Sequence, residues 1–308
     1  MNPANTKPYN LPEDAVWLIT GCSSGIGRAL CEYITTHHPA HRLIATARNV
    51  SALSYLPSSP NILPLQLDVT SPPSISAAFS AIKAKFNGRL DVVVNNAGYS
   101  LSGDTEAATE EETHAELETL FFGAARVSMK AVEMMRPKSD QEESEGDGAR
   151  GGLIMNISSL AGLVGLAGHA YYHAGKWALE GWTESVAREM SPGWGISFCL
   201  IEPSGVKTSF ETHSKARIAP HPAYQSPNMP SRILESYVQK GISSGVGMMS
   251  PDAVAEAIYH VASRGEKIPL RVPLGSTAWM MVKMKHEGAL KELEAVKELS
   301  ERPVRKET

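Results

Sequence analysis

Hydrophobic residues in this chain cluster in short unbroken runs, and longer amphipathic stretches separate them. AVWLIT (15–20), HRLIATAR (41–48), NILPLQLDV (61–69) and LDVVVNNAG (90–98) are the first four runs, and each predicts a strand. Two more strands are predicted at 152–158 and 195–201. RALCEYITTHH (28–38), PPSISAAFSAIKAKF (72–86) and the stretches 109–135 and 170–190 carry apolar residues at helical spacing. Runs as apolar as VVV suit strands buried on both faces, as in a parallel sheet between helix layers. Strand and helix alternate, so the expectation is a doubly wound α/β fold with a single parallel sheet and helices on both faces. No internal repeat is visible.

Two segments break the rhythm. PKSDQEESEGDGARGG (137–152) is acidic and glycine-rich and reads as a flexible, solvated loop between helix and strand. Residues 209–250 are rich in Pro, Ser and Gly, with one helical patch, SRILESYVQK (231–240). They follow a strand's C-terminal end, where α/β sheets bind ligands, and a substrate-lid insertion is expected there. The lid's apolar residues Phe210, Ile218, Tyr224, Met229, Ile233, Leu234 and Tyr237 suit a hydrophobic small molecule. They suit packing of the lid onto the body equally well. The tail (276–308) mixes methionines with charges at helical spacing and is expected to pack on the body as a helix. With a polar lead at 1–13, the chain 1–308 reads as one domain.

Composition narrows the function classes. The chain is 42% hydrophobic and 20% charged, as an ordinary globular protein is. A net charge of −4 offers no basic field for nucleic acid or an anionic membrane. No apolar window is long enough to predict a transmembrane segment, and the polar start MNPANTKPYNLPED has no apolar signal core. Cys22, Cys31 and Cys199 are widely spaced and lack metal-ligand spacing. They suit small buried hydrophobes in a reducing compartment, so a cytoplasmic location is expected. His173, His213 and His221 are isolated, and no metal site is expected.

Candidate chemistry begins at the first strand–helix turn, TGCSSGIGR (20–28). Gly21 permits the tight turn, Gly25 lets the backbone approach a pyrophosphate, and Gly27 allows close helix packing. With Ser23 and Ile26 they form the expected phosphate site at a helix N-terminus. The end of the second strand then chooses the cofactor. Ala47 stands where an NAD-specific site would place a carboxylate, and Arg48 follows it. Losing a negative charge and gaining a guanidinium favours a 2′-phosphate, so NADP(H) is the expected cofactor. Ser23 adds a hydroxyl for the same phosphate.

TGCSSGIG at 20, LDVT at 67, NNAG at 95, a serine followed by YxxxK, and EPSGVKT at 202 occur in one order. Together they resemble the short-chain dehydrogenase/reductase family over residues 14–210. The fuller strings, with SPDAVAEAI and IPLRVPLGSTA in the tail, are similar to its 17β-hydroxysteroid dehydrogenase-like and retinol dehydrogenase-like branch. The resemblance implies a Rossmann-like oxidoreductase that interconverts a carbonyl and an alcohol on a small molecule. It implies a homo-oligomer only by analogy.

The resemblance also implies the site. The general acid/base is the tyrosine of YxxxK, and of the neighbours Tyr171 and Tyr172 only Tyr172 is in register with Lys176. The family's serine then falls on Ser159 rather than Ser158. Positions i and i+4 share a helix face, so Tyr172 and Lys176 can point at one site. An ordinary tyrosine pKa is about 10, and a nearby lysine cation favours the phenolate. Ser159 would hydrogen-bond the substrate oxygen, Tyr172 would move the proton, and Lys176 would also hold the nicotinamide ribose. Asp68 would hydrogen-bond the adenine amino group. Asn96 would lie beside the adenosine ribose, with Gly98 letting the backbone approach. Val206 and Thr208 would receive the carboxamide end.

The pattern breaks at one functional position. In ETLFFG (118–123), Leu120 replaces the family's asparagine, which holds a water that links the lysine to solvent. Smaller departures are HAGK where SASK is common and Ser204 where PG is usual. Leu120 keeps two other readings open. One is a redox-neutral enzyme (cyclase, isomerase or dehydratase) with Tyr172 as acid/base. The other is a nucleotide-binding regulatory protein.

Overall fold

The apolar runs are strands because alternate residues bury against two helix layers. The computed structural model describes residues 5–137, 151–208, 210, 214–245 and 247–301. In it Val16–Ile19 (β1) leads through the glycine turn to Gly25–His37 (α1). Arg42–Ala47 (β2), Ile62–Gln66 (β3), Pro72–Phe86 (α2) and Val92–Asn95 (β4) follow. Ser100–Ser102 (β5), Glu110–Leu117 (α3), Ala124–Met135 (α4), Gly152–Ile157 (β6) and Ala170–Glu189 (α5) come next. Ile196–Pro203 (β7), Lys215–Arg217 (β8), Pro230–Ser244 (α6), Pro251–Ser263 (α7), Arg271–Leu274 (β9) and Ser276–Ala295 (α8) complete the main elements.

The main sheet has seven strands in the order β3-β2-β1-β4-β6-β7-β9, every pair parallel. This is the doubly wound α/β fold expected from the sequence. Trp17 and Ile19 of β1 join the core on one face, with Leu30 and Ile258. Val16 and Leu18 join the core on the other, with Ile82, Val127 and Phe198. That period of two explains why the central strands read as continuous apolar runs. β1 pairs with β2 on one side and β4 on the other. The strand order reverses there, which opens a crevice at the C-terminal end of β1.

Three short strands escape the sequence pattern. β9 closes one edge of the sheet, and β5 pairs with β8 in a separate two-stranded sheet. β5 and β8 have three residues each and β9 is interrupted by proline, so none shows the unbroken apolar run that marks the similarly short β1 and β4. The β9 proline is Pro273, and β3 at the opposite edge contains Pro64. Proline donates no ladder hydrogen bond and is tolerated at edges.

Other departures are local. The helix expected over 109–135 is interrupted by a π-helical stretch, Glu118–Gly123, beside the candidate site. The polar lead is tied down from residue 5 onward. The buried Asn5 amide donates to Phe198 O (2.7 Å) and Ile268 O (3.0 Å) and accepts from Phe198 N (2.9 Å). It thereby satisfies strand groups that the core would otherwise leave bare.

His221 and Arg232, in the segment expected to form a lid, are fastened at one buried carboxylate. Asp104 accepts from His221 N (3.0 Å) and pairs with Arg232 (2.5 Å). Burial opposes its charge, but the Arg232 guanidinium and the His221 amide hold its carboxyl below the usual range. Residues 138–150 of the acidic loop, and His213 in the lid, lie outside the described residues. α8 buries only Ala278 and Val282. Trp279, Met284, Leu290 and Leu293 on it are more than half exposed, so it packs on the body over its first turns alone. Among the described residues no helix is long and apolar enough to cross a membrane, and no His, Cys, Asp or Glu cluster could hold a metal. All three cysteines are free and buried.

Candidate active site

The glycine turn occupies the crevice that the sheet opens. Gly21 has φ +70°, and a Cβ there would meet Ala97 Cα at 2.8 Å. A Cβ on Gly27 would meet Gly21 O and Asn96 Nδ2 at 2.5 Å. Both positions therefore demand glycine. Gly25 (φ +57°) has only the Thr208 side chain near it, at 3.5 Å. Ser24 caps α1 without a side-chain hydrogen bond, so the amides of Gly25, Ile26 and Gly27 remain free to bind an anion. Ser23 is exposed on the same turn. Asn96 braces the turn, its amide donating to Thr20 O (2.9 Å) and Gly21 O (3.0 Å).

The two adjacent serines part company here. Ser158 is buried and belongs to the interior behind the site. Ser159 is half-buried and accepts from Ala161 N at 3.1 Å. The buried His173 ties this serine loop to α5. Its Nδ1 donates to Ala161 O (2.7 Å) and its Nε2 accepts from Leu166 N (2.9 Å). Tyr172, the neighbouring residue on α5, is half-buried and packs 6.3 Å from the Phe210 ring. Lys176 lies one turn on, with Nζ 5.8 Å from the Tyr172 ring centroid and donating to Ile157 O at 2.7 Å. In the loop at 206–210, Thr208 Cγ2 lies 3.5 Å from where a Cβ on Gly25 would stand, and the Phe210 ring centroid lies 6.3 Å from that of Tyr172. Val206 anchors that loop by a bridge to Met249.

Comparison with known proteins places the chain in a family. A family description, short chain dehydrogenase, matches residues 15–218. The chain belongs to the short-chain dehydrogenase family. It is 56% identical over 303 residues to the oxidoreductase calM of Penicillium decumbens, covering 97% of this chain and 96% of calM. It is 34% identical over 210 residues to human retinol dehydrogenase 8, covering 66% of this chain and 62% of that one. A short-chain dehydrogenase from Streptomyces avermitilis superposes with a TM-score of 0.76 at 30% identity, covering 93% of this chain and 97% of that one. Proteins of this family use nicotinamide cofactors.

In this dehydrogenase the residues expected at the adenine end are separately placed. Arg48 is exposed just past β2, beside the buried Ala47. Asp68 is half-buried and uses only Oδ1 internally, accepting from Thr70 N (2.9 Å) and Thr70 Oγ1 (2.7 Å). Its other oxygen is available to a ligand donor. Ser204 packs its hydroxyl where a Cβ on Gly275 would be 2.6 Å away, so that glycine absorbs the departure at 204.

Leu120 is held between two glycines. A Cβ on Gly98 would meet Leu120 Cδ2 at 2.9 Å, and one on Gly175 would meet Leu120 Cβ and Cδ1 at 3.1 Å. The departures ETLFFG and HAGK are thus one packing unit, in which glycine makes room for leucine. Gly98 serves this packing, whereas the resemblance suggested backbone approach to the ribose.

The electrostatics around Lys176 have no counterpart in the sequence pattern. Burial pulls the Lys176 ammonium down to about 8, against Glu116 and then Glu180. Glu116 on α3 is fully buried, and its Oε1 accepts from Leu101 N at 2.9 Å. Burial pushes it up to about 7. Glu180 bonds Arg271 (3.0 Å) and shares a buried pocket with Glu202. Burial, and then Glu180, push Glu202 up to about 8. Glu116 left one sequence signal, its place one helical turn before Leu120. A cavity of about 450 Å³ lies alongside, lined by Asp104, His169, Arg217, Ile218, Arg232 and Glu235 among others. Neither Ser159 nor Tyr172 lines it.

Proposed function

We propose that this short-chain dehydrogenase interconverts a carbonyl and an alcohol with NADP(H), using Tyr172 as general acid/base. One observation carries the reading. The Thr208 side chain lies 3.5 Å from where a Cβ on Gly25 of the phosphate turn would stand, and the Phe210 ring lies 6.3 Å from the ring of the candidate acid/base. Residues two apart in sequence thus border both ends of the expected dinucleotide site.

The residues present fit a nicotinamide dinucleotide. The uncapped α1 N-terminus and the open side of Gly25 suit the pyrophosphate. Asp68 would take the adenine amino group, Lys176 the ribose, and Val206 with Thr208 the carboxamide. The exposed Arg48, with no carboxylate at 47, supports a 2′-phosphate over a free hydroxyl. A bound nicotinamide supplies the hydride in reduction and accepts it in oxidation. Ser159 hydrogen-bonds the substrate oxygen and orients it toward Tyr172. The Tyr172 hydroxyl donates its proton as negative charge develops on that oxygen, and takes it back in oxidation. The Lys176 cation stabilises the phenolic oxygen while it is bare. Phe210 against Tyr172 gives the crevice an apolar wall, which favours a hydrophobic substrate.

The test is consumption of NADPH and NADH by purified protein with a panel of hydrophobic ketones and aldehydes. Wild type should use NADPH in preference, and Tyr172→Phe should lose at least about 100-fold in kcat. Full turnover by Tyr172→Phe would overturn the assignment.

A further inference from the structure

Two elements lead from Tyr172 to the cavity of about 450 Å³ beside the candidate site. On α5, His169 lines the cavity and stands three residues before Tyr172, about 4.5 Å along the axis. Its carbonyl accepts from His173 N at 2.9 Å, so the helix already runs between them. Residues three apart share a helix face, so His169 and Tyr172 project to the same side of α5. On the other wall, the Phe210 ring lies 6.3 Å from that of Tyr172, and Phe210 O accepts from Ser214 N at 3.1 Å. β8 starts at the next residue and carries Arg217 to the cavity.

The cavity wall offers donors and positive charge. Lys215, Arg217 and Arg232 line it, against the carboxylates Asp104 and Glu235. Both carboxylates are already engaged. Asp104 accepts from Arg232 Nη2 and His221 N, and Glu235 pairs with Arg217 Nη1. A guanidinium carries five N–H donors, and these pairs occupy one nitrogen of each arginine. Ser102 on β5 also lines the cavity. It is only 5% exposed, and its hydroxyl has no hydrogen-bond partner among the described residues. A buried hydroxyl without a partner is costly, and a ligand with acceptor oxygens would supply one. The buried Ile218 gives the same wall an apolar stretch.

Resting on the dehydrogenase reading above, we propose that this cavity receives a carboxylate at the far end of a hydrophobic carbonyl substrate. The substrates are then oxo acids or the corresponding hydroxy acids. Their reacting carbon lies at Ser159 and Tyr172, their apolar body passes Phe210, and their carboxylate enters the cavity. Arg217 and Ser102 donate to the carboxylate, and charge-assisted hydrogen bonds of this kind are stronger than neutral ones. Arg232, held in place by the buried Asp104, faces the same space with its remaining donors. A neutral ester of the same length would bring weaker acceptors and no charge to these groups.

The experiment measures kcat/KM for medium-chain oxo acids and for their methyl esters, in wild type, Arg217→Gln, Glu235→Gln and Ser102→Ala. Alongside it, fluorescence titration follows binding of a saturated medium-chain carboxylate, which has no ketone or aldehyde to reduce, and of its methyl ester. Wild type should favour acid over ester by about tenfold or more in both readings. Arg217→Gln should abolish most of that preference, and Ser102→Ala should lower it by a smaller factor. Glu235→Gln frees Arg217 from its carboxylate and should raise the preference. Damage to the fold would not move Arg217→Gln and Glu235→Gln in opposite directions. Equal use of acid and ester by wild type overturns the proposal, as does a preference that neither variant changes. A saturated carboxylate that binds without competing against the oxo acids marks an anion site apart from the substrate path and also overturns it. If wild type reduces no carbonyl with either nucleotide, the dehydrogenase reading falls. The titration then decides the cavity by itself, and acid and ester bound equally would overturn the anion site.

Discussion

Gly175 in the middle of α5 should resist a substitution that normally stabilises a helix. Replacing an interior helical glycine with alanine usually gains about 0.5–1 kcal/mol. At this position the new Cβ would lie 3.1 Å from both Cβ and Cδ1 of Leu120. Leu120 has no room to retreat. It is only 2% exposed, and its Cδ2 is already 2.9 Å from the place a Cβ on Gly98 would occupy. Overpacking of this kind costs about 1–3 kcal/mol. The clash therefore wins, and Gly175→Ala should destabilise the protein by about 1 kcal/mol or more. Leu120→Ala removes the branch that pins the residue and leaves a single close contact free to shift. In that background Gly175→Ala should be neutral or stabilising by up to about 1 kcal/mol. Urea denaturation of the four proteins gives the coupling directly, expected at about 1–2 kcal/mol. A stabilising Gly175→Ala in wild type would refute the reasoning, as would additivity of the two changes.

Two further outcomes follow from the charges. Arg48→Ala should weaken NADPH binding by about 10–100-fold, the value of one charge-assisted pair, and leave NADH nearly unchanged; equal weakening of both in a fluorescence titration would remove Arg48 from the 2′-phosphate site. Glu202 is raised from 4.5 to about 8 on folding. Its contribution to stability is thus whole below about pH 4.5 and lost as pH rises through about 8. Glu202→Gln has no such proton to lose. Its stability relative to wild type should grow between pH 5 and 8.5, by up to about 1.4 kcal/mol for each pH step of one; a constant difference across that range would refute the buried-carboxyl account.

The candidate site residues could be named from sequence because their constraints are local. Gly21 must take a positive φ, and the turn that requires it spells itself out in TGCSSGIG. Tyr172 and Lys176 share a helix face by spacing alone. The choice between Ser158 and Ser159 rested on register with Tyr172, whereas their difference in burial comes only from the fold. Asn96 was legible as a residue of the site but not in its bonds. Its hydrogen bonds run to the Thr20 and Gly21 carbonyls, which lie far away in sequence.

By itself the sequence determined the layer order, the parallel sheet and the glycine turn, since each follows from periodicity or from the conformation of single residues. It could not place the short edge strand β9 or the β5–β8 pair, which exist through the partners they meet. Nor could it show that Leu120 and Gly175 are one packing unit, or that Asp104 binds both His221 and Arg232. The acidic residues behind Lys176 make the same point. Glu116, Glu180 and Glu202 look like ordinary charges in the sequence. Only the tertiary structure removes them from water, and that desolvation raises all three, bringing Glu116 to about 7 and Glu202 to about 8.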